Sequence, residues 1–304
     1  MRISDALATQ RPFFSFEFFP PKDDEGSLRL FESIAALAPL RPAFVSITYG
    51  AGGSTRIRTV ALAKQIQAEI GLTVVAHVTC IGADRAELRA VFDDLARAGV
   101  ENVLALRGDP PAGSVFQASP GGFAHASELI AMLRRNYGFC IGAACHPEKH
   151  LEAATIEDDL RFLKLKADAG ADFLVSQLFF DNSRFFEFER RARAEGIELP
   201  ILPGLMPITN FAQIQRFVAI CGATIPPKLS VEMETRKGDA RAVEDLGVAY
   251  ASMQAIELLE AGVPGIHFYT LNRSPATRAI VSSLLAASAW RPAFAASPST
   301  ITSR

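Results

Sequence analysis

A single carboxylate among aromatic and proline residues near the N-terminus is the first group in the chain that is suited to chemistry. Glu17 lies in the run Ser15–Pro21 (SFEFFPP), and alternation along a strand places it on the face of Ser15, opposite three phenylalanines. The two prolines end ladder pairing just after it. Because apolar surroundings disfavour the charged form, we expect a raised Glu17 pKa and proton transfer near neutral pH. The alternative is a structural carboxylate hydrogen-bonded to a neighbouring loop.

Polar side chains also end six further strand-like runs, on a consistent parity. They are Thr48 (followed by Tyr49), His77 with Thr79, Arg107 (followed by Gly108 and Asp109), His146, Gln177, and Tyr269 (with Asn272 and Arg273 beyond). Each has a structural alternative, such as a strand-end hydroxyl, a satisfied buried amide or an ordinary core histidine. Together they indicate one polar pocket at one end of a sheet.

The segment Leu106–Pro111 (LRGDPP) combines a glycine with a flanking acid. Gly108 permits close approach of the backbone to a bound ring, and Asp109 beside it is placed to influence the electronics of a cofactor. Asp109 is alternatively a turn residue, or a partner of Arg107 on the same strand face.

Two histidines four residues apart, His146 and His150, have the spacing of a helical zinc motif. Pro147 between them disfavours a continuous helix and no third ligand stands nearby, so we predict no metal site. We expect instead a loop that binds a polar cofactor, with Lys149 or His150 near phosphates. The dinucleotide fingerprint, the phosphate-binding P-loop and the serine nucleophile elbow are missing, and the glycine-rich loop after Tyr49 is weak evidence alone.

Strand-like runs alternate with helical segments along most of the chain. The predicted strands are Phe13–Phe18, Ala43–Thr48, Thr73–Thr79, Asn102–Arg107, Phe139–Cys145, Asp172–Gln177, Pro200–Pro203 and Gly265–Thr270. Eight units in this length favour a single (β/α)₈ TIM barrel over 1–287, although spacing alone leaves an open sheet possible. The weakly patterned segment 223–239 predicts a mobile excursion, and 288–304 a flexible tail.

Composition is that of a globular protein: 304 residues, 49% hydrophobic and 21% charged, with a formal net charge of −2. This balance predicts neither a nucleic-acid surface nor a membrane patch, and no apolar run reaches the length of a membrane span or a signal peptide. The four cysteines show no paired spacing, which is typical of reduced thiols in a cytoplasmic enzyme.

Eight segments taken together resemble the methylenetetrahydrofolate reductase family, in its short bacterial type. They are Ser15–Pro21, Val45–Ala51, His77–Cys80, Ala105–Asp109, Asp168–Ala171, Gln177–Asp181, Pro203–Pro207 and His267–Arg273. These segments follow the family order from about residue 13 to 285, so the resemblance covers nearly the whole chain.

The resemblance implies a barrel that binds FAD without a dinucleotide fold. NADH or NADPH would reduce the flavin, which would then reduce 5,10-methylenetetrahydrofolate to 5-methyltetrahydrofolate in a ping-pong sequence that feeds methionine synthesis. Glu17 would be the general acid and Asp109 would tune the flavin. Flavin positions would be Thr48, Tyr49, Ala51, His77, Arg107, Gly108, Asp109, Ala126, His146, His150, Asp159 and Lys166; substrate positions would be Thr48, Gln177, Gln213, Phe217, Tyr269 and Arg273.

Some positions depart from the family pattern. His125 and His146 stand where tyrosine is usual, and Phe162 and Leu165 replace polar residues beside Lys166.

The family also implies a homo-oligomer, and the choice between NADH and NADPH stays open. The competing functions are another barrel enzyme, such as an aldolase or lyase acting on a phosphorylated substrate, and a non-catalytic folate or flavin sensor.

Overall fold

Parallel strands form one sheet that curves round on itself. The structure is a computed structural model, and it describes residues 1–9, 12–49, 56–110 and 116–287. Within these residues the strands are β1 (Phe13–Phe18), β2 (Phe44–Ile47), β3 (Val74–Thr79), β4 (Asn102–Leu106), β5 (Cys140–Cys145), β6 (Phe173–Ser176), β7 (Ile201–Leu202), β8 (Gly204–Leu205) and β9 (Gly265–Tyr269). Their order, β7-β6-β5-β4-β3-β2-β1-β9-β8, with every pairing parallel, confirms the predicted (β/α)₈ barrel.

The sheet closes through a seventh strand that is split in two. The predicted strand Pro200–Pro203 is observed as β7, paired with β6, and β8, paired with β9. Pro203 separates them, and because it has no N–H it cannot donate to a ladder, although its carbonyl accepts from His267 N at 2.9 Å. The single predicted strand is therefore wrong in detail, since the chain changes neighbours at Pro203.

Helices surround the sheet. They are α1 (Ile3–Thr9), α2 (Asp24–Leu37), α3 (Arg56–Gln65), α4 (Arg85–Arg97), α5 (Ala126–Asn136), α6 (Ile156–Asp168), α7 (Asn182–Ala194), α8 (Phe211–Cys221), α9 (Pro227–Thr235), α10 (Ala240–Glu260) and α11 (Pro275–Ala287). Local sequence sets their ends: Asp84 caps α4 reciprocally with Glu87, and Gly222 ends α8 in the left-handed conformation.

Strand alternation divides the core into an outer and an inner layer. Phe14, Phe16 and Phe18 pack outward against the helices, as predicted. The inner layer is apolar at the N-terminal end of the barrel, where rings such as Phe44 and Phe173 meet Ile3 and Leu7 of α1. Helix α1 was not predicted; it plugs this end of the barrel and leaves the opposite end for a site.

The segment 223–239 is not the mobile excursion that its weak pattern predicted. It contains α9, whose Leu229 and Met233 are buried in a satellite cluster with α8 and α10. Two buried side chains in nine residues give too little periodicity to be recognised in the sequence. Residues 288–304 lie outside the described residues, so the predicted tail stays a prediction. Over the described ranges, no helix has the length and apolar character needed to cross a membrane.

Candidate functional site

A cavity of about 900 Å³ opens at the C-terminal ends of the strands. This is the end at which barrel enzymes carry their sites. The polar groups predicted from strand ends meet there: its lining includes Glu17, Thr48, His77, Arg107, His146, Gln177 and Tyr269. The prediction of one pocket assembled from seven strands is therefore confirmed as geometry.

Glu17 points into the barrel, and its carboxyl group is surrounded by polar side chains from three other strands. Its Oε2 lies 3.4 Å from His267 Nε2, 3.5 Å from His77 Nε2 and 3.5 Å from Ser46 Oγ. Burial alone raises the pKa of this carboxyl. The hydrogen bond from His267, the electrostatic interactions with both histidines and the bond from Ser46 outweigh burial and lower the pKa below its ordinary value.

The expectation of a raised Glu17 pKa is therefore wrong. The sequence neighbours that suggested an apolar environment, Phe16 and Phe18, lie on the other face of β1. The groups that set the pKa come from β2, β3 and β9, which no local pattern around Glu17 reveals.

His77 is buried below Glu17, and burial lowers its pKa to about 4 against the opposing charge of Glu17. It is neutral near pH 7, and its Nε2 has no hydrogen-bond partner among the described residues. Unpaired buried polar atoms are unfavourable, so His77 is suited to a polar ligand atom in the cavity.

Arg107 is held at the cavity wall by Glu152. Its Nη2 donates to Glu152 Oε1 at 2.7 Å as one half of a bidentate pair, and its guanidinium lies 4.6 Å from the ring centre of Phe116. That hydrogen bond raises the pKa of Arg107. The alternative of an Arg107–Asp109 pair is secondary, because those groups are 4.0 Å apart and Asp109 is 86% exposed at the rim.

Gly108 is required by the fold around it. Its φ is +86°, and a Cβ there would lie 2.5 Å from a methyl group of Ile81 and 2.9 Å from Thr79 Cβ. The close approach that the glycine permits is thus to β3 and the loop after it. The same residue also lines the cavity beside Asp109.

A second cluster of polar side chains lines the cavity between β5 and α6. Lys166 Nζ donates to the carbonyl of Ala144 at 2.6 Å, and burial lowers the Lys166 pKa. Asp159 Oδ2 accepts from His150 N at 3.0 Å and lies 3.8 Å from His146 Nδ1. Burial lowers the pKa of His146 well below its usual range, and its Nδ1 lacks a hydrogen-bond partner in the described chain. These groups are suited to hold a polar, partly anionic ligand.

The far wall contains Gln177, Phe217 and Tyr269. Gln177 Oε1 accepts from Leu178 N at 2.9 Å, which orients its amide. Tyr269 donates its hydroxyl to the carbonyl of Ser176 at 2.6 Å, and burial raises its pKa well above the usual value. With Phe217 half-buried at the lining, this wall offers aromatic surface for a flat ligand.

The structure leaves several predicted site residues away from the lining of the described cavity. Tyr49 is packed in the outer core, Gln213 is half-buried in the first turn of α8, and Arg273 is exposed beyond β9. Ala126, by contrast, lines the cavity together with His125, Phe162 and Leu165. Ala51 lies outside the described residues. No group of three potential metal ligands occurs in the described ranges.

Sequence analysis missed His267, as it missed Ser46 and Glu152. His267 is buried inside the barrel and contacts both Ser15 and Glu17. A signal was available, because His267 shares strand parity with Tyr269, two residues later.

Comparison with known proteins shows similarity along nearly the whole chain. Residues 2–285 match the family model described as methylenetetrahydrofolate reductase. The 5,10-methylenetetrahydrofolate reductase of Salmonella typhimurium is 39% identical over 270 residues, covering 89% of this chain and 90% of that protein. Methylenetetrahydrofolate reductase (NADH) 1 of Zea mays is 37% identical over 295 residues, covering 93% of this chain but only 50% of the plant protein. The chain thus spans about half the length of its plant relatives.

Solved structures show the same fold at low sequence identity. An uncharacterised Clostridium thermocellum protein that binds two copies of 5-methyl-5,6,7,8-tetrahydrofolic acid aligns with a TM-score of 0.62 at 15% identity, over 93% of this chain and 97% of that one. Xanthomonas albilineans dihydropteroate synthase aligns with a TM-score of 0.52 at 14% identity, over 92% and 94%. At these identities the likeness concerns the barrel alone.

Proposed function

Because this chain belongs to the methylenetetrahydrofolate reductase family, we propose that it reduces 5,10-methylenetetrahydrofolate to 5-methyltetrahydrofolate. FAD is the proposed cofactor and NADH or NADPH the proposed reductant, in a ping-pong sequence that supplies methionine synthesis. The observation that carries the proposal is the placement of Glu17, a carboxyl group with two histidines and a serine beneath it, at the floor of a large cavity.

The residues of the cavity fit a flavin dinucleotide. His77 Nε2 and His146 Nδ1 are buried polar atoms without a partner among the described residues, and a ligand rich in hydrogen-bonding groups would satisfy both. Lys166 and Arg107 supply positive charge suited to phosphates. We call the side of the cavity that would hold the flavin the cofactor wall; its other proposed residues are Thr48, Gly108, Ala126, His150 and Asp159. When bound, the flavin supplies the hydride transfer that no side chain can perform.

Glu17 is the proposed proton donor to the folate. Its proton moves to the departing nitrogen of the methylene bridge, the carbon–nitrogen bond breaks with its electron pair on that nitrogen, and a reactive iminium is left. The side chain is 18% exposed to the cavity. A ligand that covers this fraction would remove its remaining water, and desolvation favours the neutral, proton-carrying form of a carboxyl group.

Gln177, Phe217 and Tyr269 form the proposed substrate wall opposite the cofactor wall. Their mixed amide and aromatic surface suits a pterin or a nicotinamide in turn. Thr48 is proposed to contact both ligands, whereas Gln213 and Arg273 require movement toward the cavity to contribute. Asp109, exposed at the rim beside Gly108, is proposed to tune the flavin electrostatically.

We propose a cytoplasmic location, with which the four free cysteines agree. A homo-oligomer is proposed from the family alone.

Purification followed by addition of FAD tests the proposal most directly. We expect a yellow protein that oxidises NADH or NADPH only when a methylenetetrahydrofolate or another electron acceptor is supplied. A protein that stays colourless with added FAD, or a flavoprotein that forms no 5-methyltetrahydrofolate, would contradict the proposed function.

A further inference from the structure

His267 connects Glu17 to a buried serine on the same inner face of the barrel. Its Nδ1 lies 2.8 Å from Ser15 Oγ, and its Nε2 lies 3.4 Å from Glu17 Oε2. The ring is stacked on Phe44 at 5.7 Å between centres, and the ring of Tyr269 meets it edge-on at 5.3 Å. Because the side chain is 1% exposed, the imidazole is fixed in position and in orientation.

Ser15 and Glu17 together fix which nitrogen of a neutral His267 ring carries the proton. A hydroxyl can donate or accept, whereas a neutral imidazole has one donor and one acceptor nitrogen. If Nδ1 carried the proton, the lone pair of Nε2 would face an ionised Glu17 oxygen, which is repulsive and makes no hydrogen bond. With Ser15 donating to Nδ1, the proton stands on Nε2 and is donated to that oxygen.

The contacts from the described residues converge on one oxygen of Glu17. His267, His77 and Ser46 all approach Oε2 rather than Oε1, and Glu17 lines the cavity. Such an arrangement holds the carboxyl group from one side and presents the other side to a ligand.

We propose that His267 is a positioning residue that, together with Ser15, orients Glu17 and sets the pH range over which Glu17 donates its proton. This inference rests on the proposed function for its consequence, but its geometry concerns only the protein's own residues.

The other groups that face Glu17 do not replace His267. Ser46 on β2 is a neutral hydroxyl that lies 3.5 Å from both Glu17 Oε2 and His267 Nε2. His77 on β3 has a pKa of about 4, and its Nε2 has no hydrogen-bond partner among the described residues. Tyr269 on β9 gives its hydroxyl proton to Ser176. His267 is accordingly the one of the two neighbouring histidines that is both oriented by a second residue and hydrogen-bonded to the acid.

The decisive experiment compares two substitutions that leave different atoms in place. In His267→Gln the side-chain amide reaches the position of Nε2 and keeps a donor to Glu17, whereas in His267→Asn the amide reaches only the position of Nδ1. Since a donor to the charged form lowers a carboxyl pKa, its loss in His267→Asn should move the Glu17 titration to higher pH. His267→Gln should stay near the unsubstituted protein.

Two readouts separate this inference from the proposed function. Infrared difference spectra of the holoenzyme, with Glu17→Gln identifying the band, follow the Glu17 carboxyl directly across pH. Stopped-flow oxidation of the reduced enzyme by the folate gives the pH profile of proton donation. A shifted infrared midpoint without folate turnover would contradict the proposed function and retain the positioning role.

An unshifted midpoint in His267→Asn, or the same shift in both variants, would overturn the proposal. Should His267→Asn fail to fold, Ser15→Ala provides the second variant. It removes the hydroxyl that hydrogen-bonds Nδ1 and orients the ring, while leaving every direct contact to Glu17. A less firmly held His267 donor should move the titration in the same direction. An unchanged titration in Ser15→Ala would then count against the proposal.

Discussion

Asn272 pairs with the backbone of Phe19 through both ends of its side-chain amide. Its Oδ1 accepts from Phe19 N at 2.9 Å, and its Nδ2 donates to Phe19 O at 2.9 Å. Nearby, Thr270 Oγ1 donates to the carbonyl of Glu17 at 2.6 Å. The loop after β9 thereby fixes the backbone on which Glu17 stands, in a turn where Leu271 and Asn272 both have positive φ, at 52° and 57°.

Substitution of Asn272 should destabilise this junction in two separable ways. Asn272→Ala loses two hydrogen bonds and places an alanine in the left-handed region, so the free energy of unfolding should fall by about 2–4 kcal/mol. Asn272→Gly loses the same bonds without the backbone penalty and should be less harmful by about 1 kcal/mol. Urea unfolding measures both, and a glycine variant no more stable than the alanine variant would contradict the strain argument.

The Glu17→Gln variant should lose one half-reaction selectively. Glutamine preserves the volume of the side chain but has no acidic proton, so folate reduction should slow by at least roughly 100-fold. Reduction of the flavin by the nicotinamide needs no proton from this group and should stay within a few-fold of normal. Stopped-flow absorbance resolves the two steps. Glu25→Gln, an exposed change, serves as the control, and equal losses in both steps would refute the assigned role.

His77 should make stability fall in acid. Its pKa is about 4 in the folded protein against an ordinary 6.5, so the unfolded chain binds the proton more tightly. The contribution to stability is complete above about pH 6.5 and is lost as pH falls toward 4; at 1.36 kcal/mol per unit it amounts to roughly 3 kcal/mol.

Substitution by a neutral side chain tests this contribution. The free energy of unfolding of His77→Gln, followed by urea titration at several pH values, should fall less steeply between pH 6.5 and 4 than that of the unsubstituted protein. The matched control is Ser282→Gln, at an exposed position of α11, which neither adds nor removes a titratable group and should keep the original slope. Identical slopes for His77→Gln and the unsubstituted protein would contradict the burial argument.

Gly247 should resist a substitution that normally stabilises helices. It lies inside α10, where alanine is ordinarily favoured by about 1 kcal/mol. A Cβ at this position would lie 1.8 Å from the carbonyl oxygen of Ile208, so Gly247→Ala should instead lower stability by about 2–3 kcal/mol. Gly238→Ala, with nothing within 4 Å of the new Cβ, is the control and should be nearly neutral. Thermal unfolding compares the two, and similar melting temperatures would contradict the packing argument.

The barrel could be predicted from the sequence because the pattern of each strand and helix is contained in its own few residues. Alternation in β1 and β3 assigned Glu17 and His77 to the inner face, and the strand ends gave the lining of the cavity. The split at Pro203 was not predictable, because the exchange of partners depends on strands β6 and β9 that are distant in sequence.

The pKa of Glu17 was harder to predict from the sequence than the identity of the residues that line the cavity. The pKa of Glu17 depends on His267, 250 residues away, and on Ser46 and His77 from neighbouring strands. Helix α1 was missed for a related reason, since seven residues with three buried side chains carry little periodic signal.

The split strand has a thermodynamic consequence for the cavity. Ser176 accepts from Gly204 N through its hydroxyl at 2.9 Å and from the Tyr269 hydroxyl through its carbonyl at 2.6 Å, so side chains bridge the place where the ladder changes partner. Tyr269 is also part of the cavity wall. Consider a ligand that binds only when Tyr269 is hydrogen-bonded to Ser176, that is, when the barrel is closed. Binding then stabilises the closed barrel by the same free energy by which closure of the barrel strengthens binding. Ligand binding in the cavity and closure of the barrel therefore stabilise each other.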